Sequence, residues 1–585
     1  MDPSVLAPSS PSVRHAPAPP AQPVRRVYLR AVWAMSFGLL VGVAAMVAVH
    51  LFPARFFDDD LLVDEKLWSW AGLAAGVALL AAMWRWRRGL QAVSPWRWVM
   101  WLFVLAAAGR AAVLLTIPYV PSDDFIVYHQ SGIGLAKHGG MTVNASAAAG
   151  YPCFFPPGQI YTLGALYKLF GDQALRKLPP AGSNETVTPE QWAAYYRAAR
   201  VGAWWNVLLG SLTAVGVYGI ARRVTGEFPG RVAGVLTAVV PSGLFATFTL
   251  GAEVGQTFWI VLAFYAYARW VDACGEGVSP SCPAGILPAR GGEAGVTSSG
   301  VQVHGAHNAG ETPATRLAAS LLVGLCLGMA SLFRPTFAPV AGLLAVHLLL
   351  TAADKRRALL AGAAMLAATA AVIAPWTVRN YVVTGGAFIP ISSNGGGNLY
   401  SGNNPWARGN YTTQAWEELY TQARDDEKIN RLGMEKATRW IRENPRRFAE
   451  LAAVKFALFW GTDRDMAWWV LEAPTRFHQA HWAPPGYGHT EISTTAQRAG
   501  EGISTGVYLS VLAAAAVGLW RWRWMLRTRP GWATIMLLAG FLTAVHMVFE
   551  SQAKYHYTLV PLLCVLAGTV LSPQARRPLT ATSDT

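Results

Sequence analysis

Charged residues are scarce in this chain of 585 residues. Asp, Glu, Lys and Arg make up only 14% of it, whereas ordinary soluble domains carry about 25%. Hydrophobic residues account for 53%, and the mean hydropathy is +0.28. This composition excludes an ordinary soluble domain and predicts a protein embedded in a membrane. The 25 Trp and 19 Tyr fit that prediction, because such side chains settle at the membrane interface.

Cysteine is also rare, and its placement excludes a disulfide framework. The five cysteines show no metal-ligating spacing, and none of the twelve histidines belongs to an HExxH motif. We therefore assign no metal ligands, and the sequence demands no cofactor, although it is compatible with a divalent metal ion. The cysteines are Cys153, Cys274, Cys282, Cys326 and Cys564.

The net charge of +15 does not indicate a nucleic-acid partner, because of where the basic residues lie. Basic clusters at 84–89, 221–231, 354–357 and 520–529 occupy loops between apolar runs, whereas the loop at 56–65 is acidic. Basic loops mark the cytoplasmic side. The pattern predicts a protein of the lipid bilayer with its N-terminus inside.

Long apolar runs recur along the chain and predict an all-α polytopic protein with about twelve transmembrane helices. We expect a large first exterior loop bearing juxtamembrane helices, and a second, mostly helical exterior domain. The predicted spans are 31–52, 66–84, 98–119, 199–220, 231–249, 254–271, 316–333, 335–351, 357–376, 503–520, 531–549 and 556–571.

These spans divide the chain into predicted regions. Within one exterior region, 444–461 is typical of an interfacial amphipathic helix in which Arg446, Arg447 and Lys455 snorkel to water. The regions are a disordered cytoplasmic tail (1–30), an additional transmembrane hairpin (31–97), a transmembrane core (98–376) containing an exterior loop (120–198) and a flexible cytoplasmic insertion (272–315), an exterior domain (377–502), C-terminal transmembrane helices (503–571) and a cytoplasmic tail (572–585).

Two adjacent carboxylates, Asp123 and Asp124, follow the apolar run that ends near Tyr119. Carboxylates at the mouth of a transmembrane helix are costly to desolvate and indicate a functional site. We predict that Asp124, with Asp123 second, is a catalytic base at the membrane surface. The alternative is that the pair only caps the helix that follows.

Further polar residues recur at predicted exterior helix ends, where one cavity could collect them. Each also has a structural interpretation: a helix cap, a snorkelling anchor, core packing or a flexible turn. We predict that they bind substrate: Tyr128, Glu253, Arg334, Arg379, Asn380, Asn394, Lys554 and Tyr555.

This combination of groups suits glycosyl transfer from a lipid-phosphate sugar. A carboxylate can take the proton of an attacking acceptor hydroxyl. Fixed Arg or Lys side chains can stabilise the negative charge that grows on the leaving phosphate. Glycines and amides near Asn394 could approach sugar hydroxyls closely.

In their order along the chain, these features resemble the GT-C superfamily of membrane glycosyltransferases, in particular the bacterial family 39 and protein O-mannosyltransferase-like group. Asp124 and Tyr128 match the family's Asp and Tyr four residues apart, and FPPGQIYTLGALYKLFG (155–171) matches its Pro-Pro turn and helix. The segment at 197–226, the acidic Glu253 and the motifs LFRPT, PWTVRNY and AKYHY match further recurring features.

The resemblance implies a polyprenyl-phosphate sugar donor, an inverting single displacement and an active site on the periplasmic face of a bacterial inner membrane. The acceptor could be a lipid, a protein or a polysaccharide. The chain departs from the family at Phe155, where some relatives carry Lys, and at Lys554, where an Arg is usual. Two other functions stay open: a transporter or flippase of a lipid-linked sugar, and a polysaccharide polymerase or ligase.

Overall fold

The computed structural model describes most of the chain in nine stretches and two single positions. These are 27–39, 42, 63–117, 121, 124–138, 153–171, 173–177, 188–273, 313–471, 492–523 and 530–572. Asp123, most of the predicted insertion at 272–315 and nearly all of both predicted tails lie outside the described residues.

The described residues form α-helices joined by short turns, and they contain no strand. The helices are α1 (Val27–Leu39), α2 (Val63–Arg85), α3 (Arg87–Ala92), α4 (Pro95–Thr116), α5 (Asp124–His138), α6 (Pro157–Phe170), α7 (Gln173–Arg176), α8 (Pro189–Thr225), α9 (Glu227–Val239), α10 (Pro241–Phe245), α11 (Glu253–Ala273), α12 (Pro313–Phe333), α13 (Val340–Thr351), α14 (Lys355–Val383), α15 (Gly395–Gly402), α16 (Thr413–Gln422), α17 (Asp426–Glu443), α18 (Pro445–Trp460), α19 (Asp465–Leu471), α20 (Thr494–Arg521), α21 (Pro530–Val548) and α22 (Val560–Gly568).

Apolar helices long enough to cross a bilayer confirm the predicted all-α membrane fold. Among the described residues there are seven, or eight if α9 and α10 form one bent span. The other four predicted spans coincide with α1, α13 and α21, which are short, and with α11, which opens on polar residues. The prediction of about twelve spans therefore stays a prediction.

The longest helix, α8, has 37 residues and a well-defined start. The Thr188 side chain accepts from the backbone N–H of Gln191, and the Gln191 side chain accepts from the backbone N–H of Thr188. This reciprocal capping satisfies two backbone donors that a helix leaves unpaired. Ala198, Gly202 and Gly210 lie on its buried face, which lets neighbouring elements approach closely.

Helix α2 packs against α20 through residues with small side chains. A Cβ atom on Gly72 would lie 2.5 Å from the carbonyl oxygen of Ile503, and one on Gly76 would collide with Ser510. Gly506 of α20 abuts the backbone of α2 at Ser69 and Leu73. Small residues at such contacts let helix backbones approach closely in membranes, so the N-terminal hairpin is anchored to the C-terminal part of the chain.

One correction concerns α18, the helix that the sequence predicts to be interfacial. Lys455 does not snorkel, because its side chain is fully buried. Its ammonium group donates to Asn403 Oδ1 at 2.9 Å and to the carbonyl of Val548 at 3.2 Å. Burial lowers the pKa of Lys455 to about 7. Helix α18 packs against α21, and it buries Lys455, a basic residue that the amphipathic pattern places in water.

Candidate functional site

The first predicted catalytic residue, Asp124, begins α5 and is exposed. Its carboxylate lies close enough to act electrostatically on Tyr128, one turn along α5, and on Glu550 and Tyr555 from the far end of the sequence. Burial, followed by the charge of Asp124, raises the pKa of the Tyr128 phenol. Residues more than 400 positions apart therefore meet around one carboxylate.

Arg334 and Glu253 form an ion pair, and both charges act on Tyr128, as that of Asp124 does. The Arg334 Nη2 atom donates to Glu253 Oε1. The Glu253 side chain is 4% exposed, whereas that of Arg334 is 25% exposed. Because a buried carboxylate needs a compensating charge, Glu253 holds the guanidinium in place while one side of Arg334 still reaches solvent.

The turn before the last apolar helix brings two further predicted residues to Arg334. The Arg334 guanidinium lies 5.1 Å from the centre of the Tyr555 ring. The Lys554 ammonium lies 5.6 Å from the same ring and 5.6 Å from the ring of Trp469. Two cations are thus held over aromatic faces, an arrangement that stabilises them without consuming their N–H donors.

Glu550 completes this group, and we did not predict it as a site residue. It is buried, and one of its oxygens accepts a 2.7 Å hydrogen bond from the Tyr555 hydroxyl. Its other oxygen has no hydrogen-bond partner among the described residues. Burial raises the pKa of the Glu550 carboxyl. The sequence feature that could have identified Glu550 is its position four residues before Lys554, at the same predicted exterior turn.

We call this group the charged site. It unites six of the predicted residues with Glu550: Asp124, Tyr128, Glu253, Arg334, Glu550, Lys554 and Tyr555.

Aromatic side chains pack around the charged site. Tyr128 meets Phe155 edge to face at 5.3 Å between ring centres. Phe125 meets Trp469 in the same way at 5.4 Å. Phe155, which departs from the family pattern, therefore supplies an apolar contact to Tyr128 at this position. Aromatic faces of this kind suit the apolar faces of sugar rings.

A short acidic loop between α18 and α19 holds the turn that carries Lys554 and Tyr555. The Asp465 carboxylate accepts from the backbone N–H of Lys554 at 2.8 Å. The Asp463 carboxylate lies 3.1 Å from His556 Nε2. Sequence analysis missed both aspartates, because each meets its partner about 90 positions along the chain.

A hydrogen bond joins Asp463 to His556. His556 Nδ1 lies 2.5 Å from the carbonyl oxygen of Phe459, which can only accept, so Nδ1 carries a hydrogen. At Nε2, either the imidazole or the Asp463 carboxyl must then supply the second hydrogen. Burial raises the pKa of the Asp463 carboxyl.

Arg379 and Asn380 lie in a different cluster, near the C-terminal end of α14. Arg379 Nη1 donates to Asn380 Oδ1 at 3.1 Å, and its guanidinium lies 4.6 Å from the centre of the Trp376 ring. Asn380 is fully buried and donates through Nδ2 to the carbonyls of Ile389 and Ile391, at 3.0 and 3.1 Å. The Asn380 amide thus ties the end of α14 to the segment that follows it.

The same cluster ties the first large loop to α17. The Cys153 thiol donates to Asn380 Oδ1 at 3.4 Å, and the Cys153 N–H donates to Asp426 Oδ2 at 2.5 Å. Burial raises the pKa of Asp426 to about 6 and that of the Cys153 thiol to about 11. We call Cys153, Arg379, Asn380 and Asp426 the joint.

Asn394 lies at the start of α15, where its Oδ1 atom accepts from Ser392 at 2.9 Å. The glycines that follow it are used in packing: the N–H of Gly396 donates to Asn430 Oδ1 at 2.7 Å, and a Cβ atom on Gly433 would lie 2.6 Å from the Gly396 backbone. Close contact between α15 and α17 explains the glycine run. The predicted role of Asn394 in binding substrate stays a prediction.

The part of the chain that the structure describes holds no group of three His, Cys, Asp or Glu side chains placed to bind a metal ion. The protein is an all-α membrane protein, and its charged site lies where several helices end.

A scan against protein-family models finds no match for the chain, and neither does a search of curated proteins. Among solved structures, it is similar to the oligosaccharyltransferase AglB from Archaeoglobus fulgidus in complex with an inhibitory peptide and a dolichol-phosphate, with 15% identity and a TM-score of 0.42 over 82% of this chain. The match covers 50% of AglB, so this chain spans about half the length of that relative.

The chain is also similar to ArnT from Cupriavidus metallidurans. The apo structure of ArnT matches with 13% identity and a TM-score of 0.34, over 82% of this chain and 77% of ArnT. The structure bound to undecaprenyl phosphate matches with 14% identity and a TM-score of 0.33, over 80% and 78%.

Proposed function

We propose that this protein is a membrane glycosyltransferase that moves a sugar from a polyprenyl-phosphate-linked donor to an acceptor hydroxyl. One observation carries the proposal: the exposed carboxylate of Asp124 and the Arg334 guanidinium both act on Tyr128 and Tyr555, and the Lys554 ammonium lies over the same Tyr555 ring. A base and an anion-binding pair at the ends of apolar helices are the groups that this reaction requires.

Arg334 is proposed to bind the donor phosphate. A guanidinium has five N–H donors in a fixed fork, and the ion pair with Glu253 orients it without enclosing it. Lys554 adds a second positive charge, and its ring contacts with Trp469 and Tyr555 limit its freedom. Because both cations are in place before the reaction, they can stabilise phosphate charge as it develops.

Asp124 is proposed to be the general base, with Asp123 as the second candidate. The acceptor oxygen attacks the anomeric carbon while the Asp124 carboxylate takes the hydroxyl proton. The bond between the anomeric carbon and the phosphate oxygen breaks, and its electron pair leaves with the polyprenyl phosphate. A single displacement of this kind inverts the configuration at the anomeric carbon.

Tyr128 and Tyr555 are proposed to contact the sugar, since the charges of both Asp124 and Arg334 act on them. The acceptor class is a lipid, a protein or a polysaccharide hydroxyl. We place the reaction on the periplasmic face of a bacterial inner membrane, because the basic loops of the sequence lie at the opposite helix ends.

The test follows release of free polyprenyl phosphate from polyprenyl-phosphate sugars, using purified protein and a membrane extract as acceptor source. We expect Asp124→Asn to lower the release rate by about 10²–10⁴-fold while donor binding is retained. Glu443→Gln, which changes an exposed carboxylate of α17, is the matched control and should release at the wild-type rate.

Two results would contradict the proposal in different ways. If Asp124→Asn and Asp123→Asn each release polyprenyl phosphate at the wild-type rate, neither carboxylate is the base. If the wild-type protein releases nothing but moves the labelled donor across liposomes, the protein is a transporter.

A further inference from the structure

A four-residue sequence, Trp-Arg-Trp-Arg, occurs twice in the chain, at 84–87 and at 520–523. The first copy lies where α2 ends at Arg85, and the second lies where α20 ends at Arg521. Both copies belong to the basic loops that the sequence places on the cytoplasmic side. Neither copy contributes a residue to the charged site.

The packing of α2 against α20 brings the two copies to the same end of the helix pair. Gly72 abuts Gly506, and the next turn of α2 abuts the next turn of α20, so the two helices run in parallel. Trp84 comes twelve residues after Gly72, and Trp520 comes fourteen residues after Gly506. A difference of two residues corresponds to about 3 Å along a helix axis, so the two tryptophans lie at nearly the same level.

The two copies also share one side-chain geometry. In the first, Arg87 Nη1 donates to the carbonyl of Trp84 at 3.3 Å, and the guanidinium lies 4.3 Å from the centre of the Trp84 ring. In the second, Arg523 Nη1 donates to the carbonyl of Trp520 at 2.9 Å, and the guanidinium lies 4.6 Å from the centre of that ring. We call these two Trp-Arg pairs the twin motifs.

The twin motifs are accessible from outside the protein. Trp84 and Trp520 are 41% and 51% exposed, and both hydrogen bonds to their carbonyls lie at the surface. Trp86 and Arg88, beside the first motif, are exposed as well. Only 22% of the apolar part of α2 is buried in the protein, so lipid covers most of this helix and lipid headgroups lie beside its end.

The chain supplies no local counter-charge for the arginines of the twin motifs. No Asp or Glu occurs from residue 66 to 122 or from 502 to 549. Among the residues that the structure describes, no carboxylate pairs with Arg87 or Arg523. Each guanidinium has five N–H donors in a planar fork, and such a fork matches a phosphate group because two parallel N–H groups can donate to two of its oxygens. Anionic phospholipids offer phosphates at the interface where tryptophan settles.

We propose that the twin motifs bind the headgroup of an anionic phospholipid in the cytoplasmic leaflet. Arg87 and Arg523 donate to phosphate oxygens, while the Trp84 and Trp520 rings hold the two guanidiniums at the level of the headgroups. A lipid bound there bridges α2 and α20, and thereby the N-terminal hairpin and the C-terminal helices. The site is separate from the charged site and independent of any glycosyl transfer.

The test is native mass spectrometry of the full-length protein in detergent, titrated separately with phosphatidylglycerol and with zwitterionic phosphatidylcholine. We expect the wild-type protein to bind phosphatidylglycerol more tightly. Arg87→Gln/Arg523→Gln removes both guanidiniums. Because one basic residue near an anionic lipid contributes about fivefold in affinity, we expect this variant to bind phosphatidylglycerol roughly 25-fold more weakly and phosphatidylcholine as the wild type does.

Two further variants separate the twin motifs from general charge. The matched control, Lys355→Gln/Arg356→Gln, removes two exposed cations of α14 on the same predicted side and should keep the wild-type affinity for phosphatidylglycerol. Arg87→Lys/Arg523→Lys keeps both charges but loses the planar fork. We expect its affinity to fall between those of the wild type and the Arg87→Gln/Arg523→Gln variant.

Three results would overturn the proposal. Equal weakening by Arg87→Gln/Arg523→Gln and by the α14 control would show a diffuse attraction to the whole basic face. Wild-type affinity in Arg87→Lys/Arg523→Lys would show that charge alone matters. Displacement of phosphatidylglycerol by an equal concentration of inorganic phosphate would show a site for the free anion.

Discussion

The charged site and the joint contain similar residue types but use them differently. In the charged site, Arg334 keeps one side toward solvent, and its Nε atom has no hydrogen-bond partner among the described residues. In the joint, the Asn380 amide is engaged on both its oxygen and its nitrogen. Polar groups with spare bonding capacity suit a ligand, whereas saturated ones suit a fixed structure.

The largest effect expected from this comparison comes from Arg334. Arg334→Met leaves Glu253 as an unpaired buried charge, so we expect a loss of about 3–5 kcal/mol in stability. We also expect donor turnover to fall by about 10²–10³-fold. Unfolding midpoints and polyprenyl phosphate release measure the two effects.

The double variant Arg334→Met/Glu253→Gln separates these effects, because it removes both charges. Its stability should recover most of the loss, while its turnover stays low. Wild-type turnover in the folded double variant would show that Arg334 has only a structural role.

A smaller effect is expected from the loop that holds the charged site in position. Asp465→Ala removes the acceptor for the Lys554 N–H, so the turn loses a fixed contact. We expect kcat to fall by about tenfold, or about 1.4 kcal/mol, with KM for the donor changed less. Asp465→Asn keeps an acceptor oxygen and should recover most of the activity; failure to do so would argue against positioning.

In the joint, Arg379→Met should change activity less than Arg334→Met or Asp465→Ala does. Its guanidinium bridges Asn380 and the Trp376 ring, so we expect a stability loss of about 1 kcal/mol. Donor turnover should stay within about threefold of wild type, since the chemistry would not involve this group. A large loss of donor binding in a stable Arg379→Met protein would instead show that Arg379 binds substrate, and the joint would then no longer differ from the charged site in function.

The smallest expected effect is a change in pH dependence at the joint. Asp426 has a folded-state pKa of about 6, above the value of about 3.9 expected in an unfolded chain. The folded state therefore binds more protons between these values, so the Asp426 contribution to stability declines as pH rises from about 4 to 6.

Asp426→Asn retains an oxygen that can accept from the Cys153 N–H, but it cannot ionise. We expect this variant to lose that decline while its turnover is unchanged, as measured by unfolding midpoints at pH 4 to 7. Asp426→Ala, which orphans the N–H, should be less stable by about 1–3 kcal/mol at every pH. An unaltered pH profile in Asp426→Asn would assign the titration to another group.

Much of the charged site could be predicted from the sequence because its residues lie at the ends of apolar runs. Asp124, Glu253, Arg334 and Lys554 each follow or precede such a run, and helix ends on one side of a bilayer lie near one another. Their pairing was not predictable, because Arg334 meets Glu253 across 81 positions of the chain.

The burial of Lys455 and Glu550 could not be predicted either. The hydrophobic pattern of a helix shows that one face is apolar, but it does not identify what covers a charged residue. Asn403 and the Val548 carbonyl accept from Lys455, and both come from distant segments. The number of spans was not predictable for a related reason. Helices α9 and α10 bend by 54° at Pro241, and a hydrophobic pattern does not show whether two such helices form one span.

The glycine contact between α2 and α20 has a consequence for how the protein is made. About 400 residues separate Arg85 from Thr494, and a ribosome needs roughly 20–80 s to add them at about 5–20 residues per second. During that interval the grooves at Gly72 and Gly76 face lipid or another protein. The packing of α2 is therefore completed only after α20 has been synthesised.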